Sequence, residues 1–261
     1  MAEGRAIVDE LRRRAQLETI AQKARKLREH LAPLVAAHGD RAHFRPTVMG
    51  VDLVSVTPER PMVVRPAIKN LAAFVPRFEE ELARYCLETP APRRSVEKEL
   101  QARLIREARG TGGRLASLEA ASAAAGRPRE LVFVTDGVVV PWDGARLASD
   151  LLALDRGTGQ AAVIEVSRSR EERAGRVAAF ATAVERHLPE FGALFAALLG
   201  APVTLAPSCQ RWLLWPAGEV TPDPGAAGLA ARGIWLVTYS PDDPVGSALR
   251  VATPQAVSRD P

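Results

Sequence analysis

Asp150 and Glu165 are the two residues whose spacing most directly sets up chemistry. Between them, Leu151–Asp155 and Ala161–Ser167 are apolar runs separated by Arg156-Gly157-Thr158-Gly159, a turn signal. Two such runs split by a Gly-containing tetrapeptide read as a β-hairpin. A symmetric loop centred between Gly157 and Thr158 puts Asp155 opposite Gln160, Leu152 opposite Val163 and Asp150 opposite Glu165. Opposed side chains on one sheet face have Cβ atoms about 5 Å apart. Two carboxylates so placed repel, and either one keeps its proton or a cation lies between them. Glu165 also interrupts Ala161–Val166, a run that otherwise reads as buried on both faces. Side chains alternate along a strand, so Ser167 is the next residue on the same face.

The order Asp150, hairpin, Ile164-Glu165-Val166-Ser167 resembles the PD-(D/E)xK nuclease superfamily, whose core pattern is an Asp, a hairpin and then (Asp/Glu)-x-Lys. Upstream, Glu97-Lys98-Glu99-Leu100-Gln101 is similar to the E-x-x-L-Q helix of many members, so the resemblance covers residues 93–240. It implies an α/β (α+β) fold: a restriction-endonuclease-like core with a mixed central sheet flanked by helices. It further implies a divalent-metal-dependent nuclease acting on DNA phosphodiesters with Mg2+ or Mn2+. Asp150, Glu165 and the backbone carbonyl of Val166 would be the metal ligands, with Glu97 near the metal water or a second ion. Such an ion lowers the pKa of a nucleophilic water and offsets phosphate charge.

Ser167 stands where the family has its lysine. A serine donates one hydrogen bond but carries no charge. No lysine follows Lys98, and Lys98 points about 100° away from Glu97 on a helix. Arg170, Arg173 and Arg176 are positioned to reach back, but an arginine is a poor proton acceptor. The Gln-x-x-x-Tyr pattern of some branches has its nearest match in Arg176-Val177-Ala178-Ala179-Phe180, which departs at both ends. Two functions therefore stay open. One is a metal-dependent deoxyribonuclease with Glu97, Asp150, Glu165 and Ser167 at its catalytic centre. The other is a catalytically inactive nuclease-fold protein serving as a nucleic-acid-binding or assembly module, its carboxylates bonded to Arg170 or Arg173. A third, an ordinary protein-interaction domain, would lack a basic rim around Asp150.

The elements that must position these residues come from the rest of the chain. Its 261 residues are 47% apolar and 25% charged, as in a globular protein of one large domain or one domain plus an extension. The net charge is +4, and the base is nearly all arginine, the only lysines being Lys23, Lys26, Lys69 and Lys98. No apolar run is long enough to span a bilayer, and the first residues carry acids and arginines in place of a signal peptide's apolar core, so a cytoplasmic location is expected. Cys86 and Cys209 are too far apart to suggest a zinc site, and His30, His38, His43 and His187 do not cluster with them.

Residues 4–38 form a helical pattern, with Leu17, Ile20, Ala24, Leu27, Leu31 and Leu34 in one stripe and a basic opposite face. Pro33 is expected to end or kink it. This helix could pack on its own domain, form a homodimer, or lie along a phosphate backbone. Strands are predicted over 47–56 and 62–64, then a helix over 67–88 broken at Pro76. Thr89-Pro90-Ala91-Pro92 is the boundary candidate, giving an α/β extension over 1–90, the nuclease-like core over 91–240 and an irregular tail over 241–261. Within the core, Val96–Ala108 and Leu115–Ala125 read as helices. Leu131–Thr135 and Val138–Val140 read as strands joined by an Asp136-Gly137 hairpin turn. Asp143 is an extra acid in the next turn. Helices are predicted over 171–188 and 191–199, and late strands over 211–215 and 233–239, with Trp212 and Trp215 as packing residues.

Overall fold

The computed structural model describes residues 2–142, 145–167, 173–218 and 225–252. Asp143 and Arg170 lie outside them. Helix α1 (Ala2–His38) follows from the spacing of Leu17, Ile20, Ala24, Leu27 and Leu31, all buried. Pro33 does not end it. Pro33 and Glu29, four residues back, both sit on the exposed side, where water can take up a carbonyl that has lost its helical partner.

Three antiparallel strands follow, β1 (Ala42–Pro46), β2 (Val51–Thr57) and β3 (Arg60–Ile68), paired in that order. The strand expected over 47–56 starts only at Val51, because residues 47–50 form the turn from β1, a strand that the sequence pattern does not predict. Next come α2 (Leu71–Phe74), a 3₁₀ turn holding Pro76, and α3 (Phe78–Glu88).

Helices α4 (Val96–Gly110) and α5 (Ala116–Ala124) precede β4 (Leu131–Asp136), β5 (Val139–Trp142), β6 (Ala145–Ala148), β7 (Leu151–Asp155) and β8 (Gln160–Val166). The chain closes with α6 (Arg173–Arg186), α7 (Leu188–Leu199), β9 (Gln210–Pro216), α8 (Gly225–Ala231), β10 (Ile234–Tyr239) and β11 (Arg250–Val251). Among the described residues a six-stranded mixed sheet runs in the order β11-β10-β9-β8-β7-β4, with β8, β9 and β10 mutually parallel. The protein is therefore mixed α/β.

Two expectations are corrected. Asp136-Gly137 does not close a hairpin: β4 pairs with β7, while β5 and β6 form their own two-stranded sheet. The segment after Ser240 is not uniformly irregular, because β11 pairs with β10, Leu249 is buried, and Arg103 donates to the carbonyls of Pro244 and Ser247.

Strand alternation divides the sheet's two faces. Leu152, Leu154, Ala161, Val163, Leu213 and Trp215 face α6, α7 and the first half of α1. Leu151, Ala153, Ala162, Ile164, Val166 and Trp212 face α4 and α5. Helix α4 is covered on its other side by β2 and β3. Further along α1, Leu27 and Leu31 join the core under β1–β3 and α3. The apolar stripe of α1 is thus buried within the chain. No helix among the described residues is long and apolar enough to cross a membrane.

Candidate functional site

The hairpin has the register its loop requires, with Asp155 paired to Gln160, Leu152 to Val163 and Leu151 to Ile164. The strand pairing stops there, one step before Asp150 and Glu165. Asp150 then replaces the missing backbone acceptor: its Oδ2 accepts the Val166 N–H at 2.9 Å. By alternation Glu165 shares the α6 face with Val163, and it is 0% exposed.

Two arginines one helical turn apart on α6 meet it there. Arg176 Nη2 lies 3.3 Å from Glu165 Oε2 and donates to the Ala148 carbonyl. Arg173 Nη1 lies 3.6 Å from the same oxygen, and its Nη2 donates to Glu97 Oε1 at 3.3 Å. Glu97, on the first turn of α4, is thereby joined to the hairpin through Arg173. Burial pushes the Glu165 carboxyl up to about 8, the Asp150 charge pushes the same way, and the two arginines oppose it. At neutral pH Glu165 therefore holds its proton most of the time. Neither Glu165 oxygen makes a hydrogen bond of good geometry.

Ser167 is buried. Its N–H donates to the Leu214 carbonyl at 2.9 Å, and its own carbonyl accepts the Tyr239 hydroxyl at 2.6 Å. Burial raises the Tyr239 pKa, the Glu97 charge adding to it. Tyr239→Phe should cost about 1 kcal/mol by removing this hydrogen bond. Urea denaturation checks this, and a loss under about 0.5 kcal/mol would mean that water replaces the hydroxyl. Lys98 turns away from the centre and donates to Gln101. Phe180 is core.

A second polar centre lies at the same end of the sheet, on the α4 side. Asp136 is 1% exposed. Its Oδ1 is 2.9 Å from His43 Nε2, and its Oδ2 accepts from Arg45 at 3.2 Å. Arg109 Nη2 sits 2.6 Å from His43 Nδ1. A guanidinium can only donate, so Nδ1 is the acceptor and the Nε2–H donates to Asp136. His43 is thus neutral, as its burial also dictates, while Asp136 stays ionised despite burial because His43 and Arg45 face it. Gly137 has φ +59°, and a Cβ there would collide with the Arg45 guanidinium. The sequence reading missed this centre because Asp-Gly is also a hairpin-turn signal, and His43 and Arg45 lie on the strand that it did not find.

The donor set does not fit a divalent ion as it stands. Glu165 already has two guanidiniums against one oxygen. Asp150 uses Oδ2 on a backbone N–H. Among the described residues, no group of three His, Cys, Asp or Glu is disposed to hold a metal ion. Comparison with family models, curated proteins and solved structures finds no match.

Proposed function

We propose that the protein is a catalytically inactive relative of the PD-(D/E)xK nucleases that serves as a nucleic-acid-binding module. The observation that carries this reading is the placement of Arg173 and Arg176 on Glu165, where an ion's counter-charge would be needed. Ser167 in the lysine position agrees with it, since a serine side chain carries no charge. Helix α4, antiparallel β4-β7-β8, then α6 and α7 and parallel β9 and β10 follow the order that the restriction-endonuclease-like resemblance implies. Support for a nucleic-acid ligand comes from a groove of about 590 Å3 between α1, the β1–β2 turn and strands β5 and β6, with the exposed Arg146 on its wall and Arg12 beside Asp9 at 3.9 Å. Arg146 pairs with no carboxylate among the described residues, and guanidiniums are well suited to phosphate.

The second reading, a Mg2+- or Mn2+-dependent deoxyribonuclease, is favoured by one observation: the buried Glu165 carboxyl lies directly beside that of Asp150. Plasmid nicking and single-strand cleavage with Mg2+ and Mn2+, alongside DNA-binding titrations at several salt concentrations, separate the two. The inactive reading expects no cleavage and binding that weakens with salt, with Arg146→Glu reducing affinity across sequences. Cleavage lost in both Asp150→Ala and Glu165→Ala would establish the enzyme instead. Neither cleavage nor DNA binding would leave only an assembly role.

A further inference from the structure

Beside the first residues of β10, two strands across the large sheet from β8, lies a cavity of about 240 Å3. Apart from Arg127, the side chains that line it are apolar and mostly small, Ala226, Ala230, Ile234 and Val251 among them, beside Trp235. Arg127 is the one charged group among the described lining residues.

Arg127 is held ready and is electrically unmatched. Its guanidinium lies over the Trp235 ring at 5.5 Å from the centroid. That ring cannot tilt, because its other neighbour is Trp212, stacked at 4.6 Å and 12° and anchored by its own indole N–H to Gln210. Arg129 lies over the same ring, but its charge is met by Asp155 at 3.6 Å. No carboxylate pairs with Arg127 among the described residues, and the side chain is exposed. A preorganised cation beside an apolar void is matched by a ligand with one anionic head and an apolar body. The planar fork of the guanidinium favours a carboxylate, bound through two parallel hydrogen bonds. A void of roughly 150 Å3 takes one benzene, so this one takes roughly eight to ten heavy atoms.

We infer that this cavity binds a small monocarboxylate with an aliphatic or aryl body, its carboxylate on Arg127 and its body against Ala226 and Ala230. The inference is independent of the nuclease-fold reading. Octanoate is the probe, titrated by calorimetry and by tryptophan fluorescence against the full chain. One-to-one saturable binding with Kd of about 0.1–1 mM is expected for a ligand of this size. Arg127→Gln should weaken it at least tenfold, Ala230→Phe should abolish it by filling the void, and the uncharged octanol should bind at least tenfold more weakly than octanoate. Circular dichroism checks that both variants remain folded. No saturable binding in the low-millimolar range would overturn the inference, as would equal affinity in the wild type and both variants.

Discussion

Replacing Glu165 by glutamine is expected to stabilise the protein, and to do so more strongly as the pH rises. The unfolded carboxyl titrates near its ordinary value of 4.5, whereas burial pushes the folded one up to about 8. Between those values the folded state binds more protons than the unfolded state. Stability therefore falls with rising pH across the window from about 4.5 to 8 and levels off above it. In the acid range Glu165 is a neutral group much like glutamine, and the variant should melt close to the wild type. At pH 8.5 the wild type must carry a buried charge beside Asp150 or keep a proton against the solution. Removing that conflict should gain about 2–4 kcal/mol, or roughly 5–15 °C in Tm for a chain of this size. Melting both proteins from pH 5 to 9 is the measurement. A Tm difference that stays flat over that range would show that Arg173 and Arg176 hold Glu165 fully ionised in the fold.

Asp136→Ala should do the opposite and cost about 3–5 kcal/mol at neutral pH, the range seen when one partner of a buried ion pair is removed. The carboxylate is the acceptor for both the His43 Nε2–H and Arg45 Nη1. Without it, Arg45 keeps Asp52, 3.2 Å away, but His43 is left with a buried donor and Arg109 with no nearby negative charge. These residues join β1 to β4 and α4, so the damage should appear as a lower urea midpoint of the whole chain rather than local fraying. A loss below about 1 kcal/mol would show that water enters and solvates the cluster.

The sequence made the hairpin fully legible because a loop of fixed length leaves one register, and that register alone puts Asp150 beside Glu165. The helix bearing Glu97 was equally readable from its Ser95 start and Gly110 end. What escaped was the part governed by tertiary packing. Ala42-His43-Phe44-Arg45-Pro46 has no strand-like alternation, yet four of its five residues are buried, because β2 and α1 cover it. Asp136 carries the residue signature of a turn and is nevertheless paired opposite Leu151 within the sheet. Its charge is tolerated there because Arg45 and the His43 N–H from β1 meet it directly, with Arg109 from α4 behind His43. The role of Arg173 and Arg176 was readable only as reach; whether they meet Glu165 depends on how α6 lies on the sheet, which no local pattern encodes.

The long first helix has a consequence for how the chain is made. Arg13 on α1 donates to His187 at the start of α7, 174 positions later in sequence, and Leu17, Ile20 and Ala24 bury themselves in the same core as Phe191, Leu194 and Phe195. A ribosome adding about 5–20 residues per second needs roughly 10–35 s to supply that partner surface. For that interval the nascent chain carries an apolar helix with nothing to cover its first half, while Leu27 and Leu31 already have β1–β3 and α3 to fold against. The stretch 17–24 is therefore where a chaperone, or a neighbouring nascent copy, would meet this protein first.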